Sequence, residues 1–183
     1  MSYLEGTIKQ FEYYKSLGDK AMAQITEEQL FWSPNAESNS IAVIVQHIAG
    51  NMLSRWTDFL TTDGEKEWRN REAEFDAVIT NKTELLRIWE QGWNVFFNAI
   101  KPLTESDLER IVYIRNQGHT VTEAIQRQLA HYPYHIGQMV YLAKMMADSN
   151  WQSLSIPRGN SKQFNDAHFS QEKQRKHFTD DFK

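Results

Sequence analysis

The stretch His131–Lys144, HYPYHIGQMVYLAK, decides how the rest of the chain is read. As a helix it sets His131 and His135 one turn apart on one face, with Cβ atoms about 5–6 Å apart. Two imidazoles so spaced can hold one cation between them, as the paired histidines of helical zinc motifs do. Gln138 follows His131 by seven residues and points almost the same way. The polar line His131, His135, Gln138 runs through a helix that also carries Leu129, Ile136, Met139, Val140, Leu142 and Met146. Either that line faces water, or it faces inward and holds something.

Working outward, Thr120 and Glu123 have capping-box spacing, so this helix starts near residue 121, and its pattern reaches about Ala147. Pro133 lies inside it, on the side away from His131. A proline removes the hydrogen bond to the carbonyl four residues back, so a bend is expected with the histidines on its concave side, or else a break and restart. On the same helix Ala124, Gln128, His131, His135, Gln138 and Leu142 form one seam that could pack inward as an a/d-type stripe.

Three further helices are expected. Residues 2–24 carry Leu4, Ile8, Phe11, Tyr14, Leu17 and Ala21 at helical intervals behind a Ser2/Glu5 capping box. Thr26–Gln29 repeats that box and starts one short turn, followed by the turn-rich SPNAESNS at 33–40. Ser40 caps a second long helix to about Leu60, with Ile41, Ile44, Ile48, Met52 and Phe59 on its apolar face. His47 falls within or at the edge of that face, with Asn51 one turn further on. Residues 61–79 are charged and aperiodic and read as a surface connection. A third helix starts at Asn81/Glu84, with a stripe of Leu85, Trp89, Trp93, Phe96 and Ile100 ending before Pro102, which reads as ordinary core. ERIVYI at 109–114 and HTV at 119–121, around Asn116-Gln117-Gly118, suggest a small hairpin. His119 is expected in water there. After Ala147 the chain becomes polar; 148–183 reads as an irregular tail anchored by Trp151, Leu154, Ile156 and Phe164, with His168 and His177 on the surface.

The fold class is therefore all-α: an up-down four-helix bundle over 2–147, one domain spanning 1–183, with a hairpin excursion and a C-terminal tail. Among 183 residues, 40% hydrophobic and 13% aromatic, the composition supports a packed core. The net charge of −4 gives no footprint for nucleic acid or an anionic membrane. No apolar run approaches a membrane span and no leader is evident, so a cytoplasmic setting is expected. The chain has no cysteine, so any metal must be bound by His, carboxylate, amide or water.

If the fourth-helix seam faces the second helix, His47 meets His131 and His135. Three neutral imidazoles leave positions for water or substrate, the pattern of a catalytic rather than a closed structural site. Otherwise the pair faces solvent and His47 is a lone core residue.

One His on the second helix of a bundle, then H-x-x-x-H with a downstream Gln on the fourth, resembles the DinB/YfiT-like proteins. The segments that carry the likeness are IAVIVQHIAGNMLSRW (41–56) and HYPYHIGQMVYLAK (131–144), and the order of elements agrees over about 2–147. The tail WQSLSIPRGNSKQFN (151–165) looks like that of one uncharacterised bacterial branch. The resemblance implies a four-helix bundle, often a dimer, holding a divalent metal (Zn, Ni or Fe) through His47, His131 and His135. It also implies kinship with S-transferases and isomerases that use low-molecular-weight thiols. Pro133 and Tyr134 stand where many members carry another His, which bears on substrate preference and leaves the ligands intact.

Two functions follow as expectations. One is a metal-dependent, thiol-dependent transferase, in which the metal acidifies a bound thiol or water and Asn51, Gln128 and Gln138 orient ligands or substrate. No carboxylate stands out as a general base. The other is a non-enzymatic helical module whose metal is structural, adventitious or absent.

Overall fold

A computed structural model describes residues 1–182. Six α-helices are present among the described residues: α1 Tyr3–Ala23, α2 Glu27–Phe31, α3 Ile41–Trp56, α4 Lys82–Ile100, α5 Val121–Ala147 and α6 Ser161–Phe169. A two-stranded antiparallel sheet, β1 Ile111–Ile114 with β2 Gln117–Thr120, precedes α5. Local chemistry sets most starts. Ser2, Thr26 and Thr120 each accept from the amide three residues on, and Glu5, Gln29 and Glu123 return the bond. Each cap satisfies amides that a helix start leaves unpaired.

The four long helices share one apolar core in which Phe11, Ile48, Met52, Trp89, Trp93, Phe96, Tyr132 and Met139 are essentially solvent-free. The contacts give the helix directions. Phe11 meets Tyr132, and Gly18 lies beside Met139, so α1 and α5 run parallel. Gly92 lies against Ala49, and Trp56 meets Phe96, so α3 and α4 run parallel too. Glu12 pairs with Lys101 and Asp19 with Trp89, so α1 opposes α4. The order is up-down-down-up, not the alternating one expected. The cause is the connection over residues 57–81, which must return along a helix of nearly 30 Å and is long enough to do so.

α3 ends at Trp56, one turn before the expected Leu60. Asp58 takes a left-handed φ of 49°, and its carbonyl accepts the amides of Thr61 and Thr62 at 3.0 Å. α5 runs unbroken through Pro133, so of the two alternatives the break and restart does not occur. The hairpin turn is Arg115-Asn116, earlier than expected, with both φ values positive (55° and 60°). Asp63 accepts both of their amides at 2.8 Å, which holds this costly backbone in place and ties the hairpin to the 57–81 connection.

His119 is half-buried rather than free in water, and its Nε2 is enclosed with no hydrogen-bond partner. The tail is more regular than expected, with α6 and a 3-10 turn at Phe178–Asp181. That turn docks on α1, where Lys9 reaches Asp180 at 2.9 Å and Tyr13 meets Phe178. His168 stacks on Phe164, and His177 caps the turn, so both are half-buried rather than surface residues. No helix among the described residues is long and apolar enough to cross a membrane.

Candidate metal centre

α3 and α5 run antiparallel across the core and bring His47 opposite His131 and His135. The ligand atoms of the three histidines all lie within 4.8 Å of one another. His131 Nε2 is 3.1 Å from His135 Nε2 and 3.4 Å from His47 Nε2. Two imidazole nitrogens bound at about 2.0–2.1 Å to one tetrahedral cation stand about 3.4 Å apart. Two of the three spacings are close to that value, so the rings are gathered about a point that one ion could occupy.

The outer nitrogens explain the orientation. His47 Nδ1 lies 2.9 Å from Glu74 Oε2, His135 Nδ1 2.9 Å from Gln138 Oε1, and His131 Nδ1 3.3 Å from Gln128 Oε1. An ionised carboxylate can only accept, so His47 Nδ1 carries hydrogen, and in the neutral ring Nε2 then presents a lone pair. With the amide oxygens turned to the other two rings, the same holds for His131 and His135. Three lone pairs facing one another repel unless a cation or proton lies among them. The donor set thus fits a divalent metal of the type that imidazole favours.

Burial first, then His135, His47, Arg55 and Arg69, pushes His131 down to about 3. Burial, joined by His47, lowers His135, while its bond to Gln138 works the other way. Both rings are neutral at neutral pH, as a ligand must be.

The residue that sequence reasoning missed is Glu74. It lies in the stretch expected to be a surface connection, yet it is 7% exposed and belongs to a 3-10 turn, Glu72–Phe75, packed on α3. Gln46 on α3 donates to the carbonyls of Ala73 and Asp76 and clamps the turn in place. Phe75 stacks on the His47 ring at 4.8 Å. Arg69 holds both carboxylate oxygens of Glu74, at 2.7 and 2.9 Å. Burial opposes ionisation of Glu74, but its bonds to His47 and Arg69 outweigh it and leave the carboxyl below its ordinary range. Gly50 makes the fit possible. A Cβ there would stand 2.5 Å from Glu74 Oε1. A glycine in the interior of α3, about one turn past His47, was the sequence signal.

Over residues 1–160 the sequence matches the family described as "Protein of unknown function (DUF1572)". The chain belongs to that family. Neither a curated protein nor a solved structure matches it.

The matched span of this DUF1572 chain contains α3, α5 and the Glu74 turn, so the whole histidine centre lies inside it; α6 lies beyond. Of the other predicted residues, Gln128 and Gln138 touch the histidines. Asn51 does not; it accepts from the Tyr132 hydroxyl at 3.1 Å, which in turn accepts from Trp56 Nε1 at 3.0 Å. Asn51 nevertheless lines the cavity above the centre, about 370 Å³, together with His47, Gln128, His131 and His135. A cavity of that size suits a small ligand.

Proposed function

We propose that this DUF1572 protein binds a divalent metal through His47, His131 and His135 and is a metal-dependent enzyme. The observation that carries this reading is the convergence of three Nε2 atoms at 3.1 and 3.4 Å, each ring held from behind by an acceptor. The donor set suits Zn, Ni or Fe, and a shell of three imidazoles leaves room for substrate. A bound ion there would supply Lewis acidity, lowering the pKa of a thiol or water beside it. The chain's part is positional. Glu74, Gln128 and Gln138 fix the three rings, burial keeps His131 and His135 unprotonated, and the cavity admits a small molecule.

The resemblance to DinB/YfiT-like proteins makes S-transfer with a low-molecular-weight thiol the reaction class we favour, and a homodimer the assembly. A chain with no cysteine of its own would need such a thiol from solution. A non-enzymatic module is favoured by one observation: no carboxylate lines the cavity to move a proton.

Elemental analysis of untagged protein, beside His47→Ala and His135→Ala, tests the metal. Near-stoichiometric metal in the wild type, lost in both variants with helicity retained, is the expected result. Metal-free wild-type protein that takes up no zinc, nickel or iron refutes the centre. Metal-dependent conjugation of an electrophile to glutathione, bacillithiol or mycothiol tests the reaction; its absence with all three favours the module.

A further inference from the structure

The wall of the cavity away from the histidines is built of arginine. Arg55, Arg69, Arg71, Arg115 and Arg127 all line it, and no carboxylate does. Three of the five are answered. Arg69 pairs with Glu74 and Glu65, Arg115 with Glu65 and Arg71 with Glu72. Two are not. Arg127, exposed on α5, pairs with no carboxylate among the described residues. Arg55 is the sharper case. It is 6% exposed, and its Nε and Nη1 are enclosed with no hydrogen-bond partner.

A buried guanidinium with unused donors is costly, and buried charges are ordinarily paired. Glu65 and Asp63 lie within electrostatic reach of Arg55. Both are committed elsewhere. Glu65 holds Arg69 and Arg115, and Asp63 accepts the amides of Glu65, Arg115 and Asn116. Arg127 adds a second positive charge close enough to disfavour the Arg55 cation further. Nothing in the fold gains from two cations gathered over a half-open cavity. An oxyanion between them would satisfy both, since a guanidinium fork matches carboxylate and phosphate oxygens.

We propose that the cavity recognises the anionic end of a small substrate, a carboxylate or phosphate, through Arg55 and Arg127. This names the substrate class of the metal centre proposed above and rests on that reading for its place in a reaction. His47, Asn51 and Arg55 follow one another at four-residue intervals on α3, so the two ends of the cavity are separated by about 12 Å along the helix. The anionic group is therefore a handle several bonds from the group presented to the histidines.

Binding to metal-free protein tests this apart from any metal chemistry. Isothermal titration with inorganic phosphate and with succinate, at low and moderate salt, is compared across wild type, Arg55→Met and Arg127→Ala, with helicity checked by circular dichroism. Binding of either anion that weakens about tenfold or more in Arg55→Met, and measurably in Arg127→Ala, is expected. Preference for succinate assigns a carboxylate handle, and preference for phosphate a phosphate ester. Arg127 is exposed, so Arg127→Ala remains informative if Arg55→Met does not fold. Binding of neither anion, or binding unchanged in the folded variants, overturns the proposal. Zinc uptake by the same wild-type sample reports on the histidine centre separately.

Discussion

Replacing Gly50 by alanine sets two effects of opposite sign against each other. In a helix interior, alanine is better than glycine by about 1 kcal/mol, so the helical effect alone would stabilise the protein. The new methyl would stand 2.5 Å from Glu74 Oε1 and 2.8 Å from its Cδ, so the carboxylate must move. It cannot move freely, because Arg69 grips both oxygens at 2.7 and 2.9 Å and His47 is bonded at 2.9 Å. All three side chains are under 10% exposed. Breaking a buried ion pair costs about 3–5 kcal/mol, which exceeds the helical gain and leaves a net loss of about 2 kcal/mol or more. For a domain of this size that is a fall in Tm of about 4–8 °C. Zinc affinity should fall about 10–100-fold as well, because His47 loses the acceptor that orients it. Calorimetric unfolding of the metal-free protein and a competitive zinc titration measure the two effects. A Gly50→Ala protein that melts higher than wild type and binds zinc equally well would show that Glu74 is not wedged against α3, and the account of the centre would fail with it.

Other outcomes follow from the same contacts. His131 sits at about 3 in the folded protein because of burial and its cationic neighbours, whereas an unfolded histidine titrates near 6.5. The unfolded chain therefore binds more protons between those values, and stability is lost as pH falls through that window. After allowance for partial exposure, the metal-free wild type should lose about 1 kcal/mol more than His131→Asn between pH 7 and 5 in urea titrations, and equal losses would refute this. Tyr132→Phe removes the hydroxyl shared by Trp56 Nε1 and Asn51 and should cost about 2 kcal/mol in the same assay, since two buried groups lose their partner. Deleting residues 170–183 removes the Lys9–Asp180 pair and the Tyr13–Phe178 contact. About 2 kcal/mol of stability should go with it, while zinc binding stays unchanged, because that turn docks on α1 and not on the histidines.

What could be read beforehand was whatever is decided within one or two turns of chain. The caps at Ser2, Thr26, Ser40, Asn81 and Thr120 are local bonds between residues three apart, and each forms where the spacing indicates. The apolar stripes of α4 and α5 were legible for the same reason. His131 and His135 declared themselves by their four-residue spacing, and His47 by being a histidine among aliphatic residues. Helix direction was illegible because it depends on the path of residues 57–81, which carry no period. Glu74 was illegible because it is one of seven acidic residues in that stretch, at 58, 63, 65, 67, 72, 74 and 76, and nothing local sets it apart. Only its distant partners, Gly50, Gln46 and His47, select it.

The arginines carry this argument one step further. A net charge of −4 argues against an extended polyanion as partner, and that inference concerns the averaged surface. A cavity responds instead to the charges within about 8–10 Å, the screening length at physiological salt. Here the arginines come from α3, the 57–81 connection, the hairpin turn and α5, spread from position 55 to 127. No window of sequence contains them together, and their total is hidden among the chain's 24 acidic residues. The same connection that reverses the expected helix order also delivers Arg69, Arg71 and Glu74 to the cavity. The departure from an alternating bundle and the chemistry of the site therefore have one structural cause: a long, charged segment that folds back across α3 supplies both the support for His47 and part of the basic wall.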